Sequence, residues 1–107
     1  MFARKVSMHL KPNGAAEFKK KIENEIVPLL RKQKGFLDEI TLLYPSGKEV
    51  HAFSFWETAE HAEAYNRGAY PEITKLLASV VEGPPRVQTY EVLNSTFHKV
   101  APLTVGA

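Results

Sequence analysis

Between Phe2 and Leu10 apolar and polar side chains alternate, with Val6, Met8 and Leu10 on one side and Lys5, Ser7 and His9 on the other. That period belongs to a strand with one buried face. Lys11-Pro12-Asn13-Gly14 interrupts it, and Asn13 stands where it would cap a following helix. From Ala15 to about Lys34, Phe18, Ile22, Ile26, Leu29 and Leu30 recur at intervals of three and four, one apolar helix face. Pro28 inside this run predicts a kink or a tightened turn near Glu25 to Val27. Gly35 supplies the stop.

Phe36 to Tyr44 and Val50 to Trp56 are rich in aromatic and branched residues, and Pro45-Ser46-Gly47-Lys48 between them signals a hairpin. Thr58 is placed to cap a short helix from Ala59 to Arg67, which Gly68 ends. A further helix opens at Tyr70-Pro71. Its stripe of Ile73, Leu76, Leu77, Val80 and Val81 predicts continuation until Gly83-Pro84-Pro85. Arg86 to about Val100 then reads as a last strand, long enough to reach past a compact sheet. The order β-α-β-β-α-β is that of the ferredoxin-like α+β fold, an antiparallel sheet with helices on one face.

A sheet covered on one side should be polar on the other, and this one is not. Phe36, Ile40 and Leu42 are expected on one face of the second strand, with Leu37 and Leu43 on the other. In the third strand Phe53 and Phe55 alternate against Val50, Ala52 and Trp56. Helices bury only one of these faces, so the other predicts a homodimer paired through its sheets, with the last strand reaching toward the partner.

Composition narrows the chemistry. With no cysteine among 107 residues, disulfides, thiolate metal sites and cysteine nucleophiles are excluded. A formal net charge of +2 calls for no acidic partner. The basic runs Lys19-Lys20-Lys21 and Arg31 to Lys34 interleave with Glu17, Glu23 and Glu25, as on a solvated helix face, so no nucleic acid is expected. No apolar run approaches the roughly 20 residues of a membrane span, and Met1 to Lys5 lacks a secretory pattern. The expectation is one cytoplasmic domain over residues 1–100, with a short tail from Ala101 to Ala107.

Two local stretches add to the element order: Pro28-Leu29-Leu30 followed by Lys34-Gly35-Phe36, and Phe55-Trp56-Glu57-Thr58-Ala59-Glu60-His61-Ala62. With them the chain resembles the antibiotic biosynthesis monooxygenase (ABM) domain of the dimeric α+β barrel superfamily, from Phe2 to His98. The resemblance implies a homodimer whose sheets pack into a barrel and a ligand cavity between sheet and helices. It also implies cofactor-independent oxidation of phenolic or quinol molecules by dioxygen, or oxidative heme breakdown. The heme-degrading branch is set aside. Arg4-Lys5-Val6-Ser7-Met8 holds no first-strand Asn, the helix Trp position falls on Tyr65, and Ile73-Thr74-Lys75 stands where the ligand His would be.

Oxygenation without a cofactor needs a base, donors for a phenolate and a dry cavity. Of the histidines, His51 is the first choice of base and His9 the second; His61 and His98 read as surface or interface groups. Trp56 and Tyr65 are candidates for a planar ligand's wall, or else core. Tyr90 is placed to donate its hydroxyl to a ligand, or to complete a dimer core. Asn66 and Arg67 stand at the end of the short helix, near a cavity mouth or as plain caps. No metal is expected, because the histidines at 9, 51, 61 and 98 make no ligand pattern, and no cofactor is expected either. Three readings stay open: an oxygenase of a planar aromatic molecule, a non-catalytic dimeric ligand-binding or stress-associated module, and a scaffold with a solid interior. A cavity with convergent polar groups separates the first two from the third.

Overall fold

In the computed structural model, which describes residues 1–100, the alternating N-terminal segment is β1 (Phe2–Leu10). The expected tail from Ala101 lies outside the described residues. Three more strands, β2 (Phe36–Leu43), β3 (Glu49–Trp56) and β4 (Val81–Glu91), complete an antiparallel sheet in the order β2-β3-β1-β4. Helical pieces α1 (Ala15–Lys21), α2 (Val27–Arg31), α3 (Ala59–Arg67) and α4 (Tyr70–Leu77) pack on one face. The ferredoxin-like α+β arrangement is therefore present.

Pro28 explains the break between α1 and α2. Lacking an N–H, it cannot close an α-helical bond, and its ring would press on the carbonyl one turn earlier. The chain widens instead into a π turn, Ile22–Ile26, closed by the Val27 N–H on the Ile22 carbonyl. Phe18, Ile22, Ile26 and Leu30 are all buried at four-residue spacing. A straight α-helix would drift by about 40° at each such step; the wider turn holds the four in one line over the sheet. Asn13 is not the cap of α1. The cap is Gly14, whose N–H bonds to the Lys11 carbonyl at 2.9 Å, while Asn13 makes the turn at φ 61°, a conformation asparagine tolerates. Thr58 does cap α3, its hydroxyl accepting from the His61 N–H at 3.2 Å.

Three other expectations are corrected. A bulge between Phe36 and Asp38 turns Phe36 toward the helices, where it meets Trp56 edge-on at 5.6 Å between ring centres. It does not share a face with Ile40 and Leu42. The helix expected to run to Val81 ends at Leu77, and Val81 already begins β4. Gly83, Pro84 and Pro85 stand opposite the single residue Met8 as a bulge on an edge strand, where proline's missing donor is harmless. Finally, β4 stops at Glu91 rather than near Val100, because Glu91 already pairs with Phe2, the first residue of β1.

The core lies between sheet and helices. Val6, Met8, Leu10, Val50 and Trp56 meet Phe18, Ile22, Ile26, Leu30, Ala62, Ile73 and Leu77. Trp56, at 0% exposure, stacks on Tyr65 with ring centres 4.7 Å apart and bonds the Ser54 hydroxyl through its indole N–H at 2.9 Å. On the open face Ile40 and Leu42 remain 44% and 48% exposed. No helix among the described residues is long and apolar enough to cross a membrane.

Candidate functional site

Arg4 occupies the same side of β1 as Val6, Met8 and Leu10, so strand geometry carries a guanidinium into the space between sheet and helices. It is only 2% exposed. It donates to the Asn66 side-chain carbonyl at the end of α3, and no carboxylate among the described residues pairs with it. Its other neighbours are aromatic, the Tyr70 ring at 4.0 Å and the Tyr65 ring at 5.2 Å. Such contacts recover part of what a buried cation loses in hydration, but not the whole.

Arg4 and both tyrosines line a cavity of about 220 Å³, otherwise walled mainly by apolar residues such as Val6, Ile26 and Ile73. A second space of about 460 Å³ lies between β2, β3 and α1 and shares Ile22 and Glu39 with the first. Its presence and that of the first cavity contradict a solid interior. The floor of the first cavity is polar along one line. Arg4 pairs with Ser54, Ser54 pairs with Glu39, and Thr89 pairs with Arg4 from the other side. At roughly 4.8 Å per strand, the row spreads a cation, a hydroxyl and a carboxylate across about 10 Å of β1, β3 and β2. The next row toward Leu10, formed by Val6, Ala52 and Val87, is apolar apart from Thr41.

The titration behaviour follows from this burial. Desolvation raises the Tyr65 phenol well above its ordinary range, against the opposing pull of Arg4. Tyr70 is raised for the same first reason, opposed by the charge of Arg4 and by the approach of that guanidinium to the phenol oxygen, and no other group among the described residues bonds this buried hydroxyl. Both phenols therefore stay protonated, as donors, through neutral pH. Glu39 is raised by burial, with its hydrogen bond from the Thr41 hydroxyl working the other way.

The sequence candidates separate across the sheet. Tyr65 lines the cavity, whereas Trp56 stands behind it as core. His51, His9 and Tyr90 lie on the open face, opposite the cavity, as the β1 pairings Ser7–His51, His9–Glu49 and Ala3–Tyr90 require. There His51 Nδ1 meets the Ser7 hydroxyl at 3.1 Å and its Nε2 meets Glu49 at 3.3 Å, while His9 lies 3.9 Å from the same carboxylate. His61 bonds the Thr58 hydroxyl at 3.0 Å, and His98 meets Asp38. Asn66 is drawn into the site as the partner of Arg4. No group of three or more metal-binding side chains converges among the described residues. Arg4, Glu39 and Tyr70 were passed over by the sequence reading, although the parity of Arg4 with Val6 and Met8 carried the signal.

Neither a protein-family model nor a curated protein matches the chain. Solved structures do. A protein of unknown function from Nitrosomonas europaea is 17% identical over 92% of this chain and 95% of its own, at a TM-score of 0.76. A monooxygenase of Streptomyces coelicolor, solved with the ligand nanaomycin D, is 16% identical over 92% of both chains, at 0.74. SnoaB of Streptomyces nogalater, a cofactor-independent oxygenase, is 11% identical over 89% of this chain and 95% of its own, at 0.70. Others are provisionally named antibiotic biosynthesis monooxygenases. The chain has the fold of the ABM proteins, as its element order and local motifs led us to expect.

Proposed function

We propose that the protein is a homodimeric, cofactor-independent oxygenase that binds a planar phenolic or quinol-type molecule in the cavity beside Arg4. One observation carries the reading: a buried guanidinium with no carboxylate paired to it among the described residues, flanked by two tyrosine donors, at the polar end of an apolar cavity. This is an environment for a bound oxyanion. A phenol held there ionises more readily, and its anion is rich enough in electrons to react with dioxygen directly. For a substrate carrying a methylene group conjugated to the phenol, the balance needs no reductant: CH2 + O2 gives C=O + H2O. One oxygen atom enters the product; the other leaves as water with the two methylene hydrogens. The oxygenases of Streptomyces that share this fold support the reading by analogy.

The homodimer rests on the open face, where Ile40, Leu42 and the 44%-exposed Tyr90 join Phe53 and Phe55 in one apolar surface. The test of the function is oxygen consumption with a panel of hydroquinones and anthrone-like phenols, metal-free, beside boiled-protein controls. Saturable uptake that Arg4→Gln abolishes supports the oxygenase. A second reading, a non-catalytic ligand-binding module, is favoured by one observation: no histidine among the described residues lines the cavity. Saturable binding across the panel without oxygen uptake would establish that reading instead.

A further inference from the structure

We infer that Glu39 is the proton acceptor of this site, taking the hydroxyl proton of a bound phenol while Arg4 holds the resulting anion. The inference rests on the phenol-binding reading above and adds to it the destination of the proton. It follows first from position. Glu39 is the one carboxylate lining the cavity among the described residues, and it stands in the same cross-sheet row as Arg4, with Ser54 between them. His51 and His9, the two histidines expected as bases, are on the far side of the sheet.

The neighbours suit the role. Ser54 accepts from the Trp56 indole, which leaves its own hydroxyl proton free to donate along the row. The Thr41 hydroxyl donates to Glu39 from the next row, fixing the carboxylate's orientation. The other polar and charged groups facing Glu39 are Arg4 from β1, Tyr65 and Tyr70 from α3 and α4, and, across the second cavity, Lys19 from α1 and Glu23 from the π turn. Burial pushes the Glu39 carboxyl above the usual carboxylate range, toward that of a phenol, which narrows the uphill gap for the transfer.

The step is simple to balance. The phenol O–H bond breaks, the proton moves to a Glu39 carboxylate oxygen, and the electron pair stays on the phenolate oxygen beside Arg4. Net charge in the cavity does not change. That neutrality distinguishes internal transfer from loss of the proton to water.

The experiment measures two quantities with 1-naphthol, a phenol un-ionised in free solution at pH 7. The ultraviolet spectrum gives the fraction ionised when bound, and an indicator dye in weak buffer gives protons released per ionised probe. The native protein should bind ionised naphthol with release near zero. Glu39→Gln should release about one proton per naphtholate, and Glu39→Asp should return release toward zero. Where a panel phenol turns over, Glu39→Gln should lower kcat by about 10²–10⁴-fold with KM little changed. Release near one from the native protein, or bound naphthol that stays neutral, overturns the assignment of Glu39 alone. Absence of any phenol binding by the native protein overturns the proposed function, and this inference with it.

Discussion

Replacing Arg4 by methionine separates what the guanidinium does for a ligand from what it does for the fold. At 2% exposure it has lost nearly all its water, a loss that costs about 5 kcal/mol for an ion in a relaxed protein interior. Against this stand one charge-assisted hydrogen bond to Asn66, worth about 2 kcal/mol, and two aromatic faces at 4.0 and 5.2 Å, together about 2 kcal/mol. The guanidinium is then a net burden of about 1 kcal/mol. Methionine keeps the apolar stem and needs no hydration. Arg4→Met should therefore raise Tm by about 4 °C at pH 7, read by differential scanning calorimetry. The same variant should lose phenol binding in equilibrium titration. A Tm lowered by 5 °C or more would refute the reasoning, because a guanidinium that stabilises the fold needs no ligand to explain its burial.

Other consequences are open to measurement. Gly35→Ala should destabilise by 2 kcal/mol or more in urea titration, since φ there is +80° and a Cβ would lie 2.3 Å from the His61 ring (about 1–2 kcal/mol from the backbone alone). Glu39 binds its proton more tightly folded than unfolded, so the native state holds more protons than the unfolded chain above pH 4.5, and stability falls as pH rises from there toward the raised folded value. Calorimetry across that window should find Glu39→Gln free of this loss and more stable than the native protein at pH 7. Tyr65→Phe should leave urea stability within about 0.5 kcal/mol, because its hydroxyl bonds no described residue, while weakening phenol affinity in fluorescence titration. Leu42→Lys should convert a dimer to a monomer in sedimentation velocity at micromolar concentration without loss of secondary structure.

What the sequence disclosed and what it concealed have separate physical causes. β1, the β2–β3 hairpin and the Thr58 cap are local events, and alternation or a single side chain announces each one. The boundary between α4 and β4 was misread because Val80 and Val81 satisfy a helical stripe and a buried strand end equally well; the sheet decides by pairing Val81 with Leu10. The reversal of Phe36 was hidden because a bulge has no signature in alternation until the partner strand is known. The site suffered from a preference for chemistry over parity. His51 carries the side chain most often used as a base but stands one residue out of phase with Ala52, the cavity-facing position, whereas Arg4 is in phase with the core. Glu39 becomes informative only once Ser54 is seen to link it to Arg4 across the sheet.

The π turn at Ile22–Ile26 sets how this helix responds to changes in length during evolution. It holds one residue more than an α-helical path would need, like a stitch let into a seam. Deleting exposed Asn24 would draw the turn back toward an α-helix and bring Pro28 into conflict with the carbonyl it now avoids. Paired with a proline replacement, the same deletion would leave a continuous helix. The eleven steps then separating Phe18 from Leu30 would turn about 1100°, within about 20° of three full turns, so Leu30 would stay over the sheet. Lineages that shorten this segment by one residue should therefore lose Pro28 as a coupled change while the apolar stripe after it keeps its face, and the ceiling of the cavity, where Ile26 and Leu30 sit, would be kept.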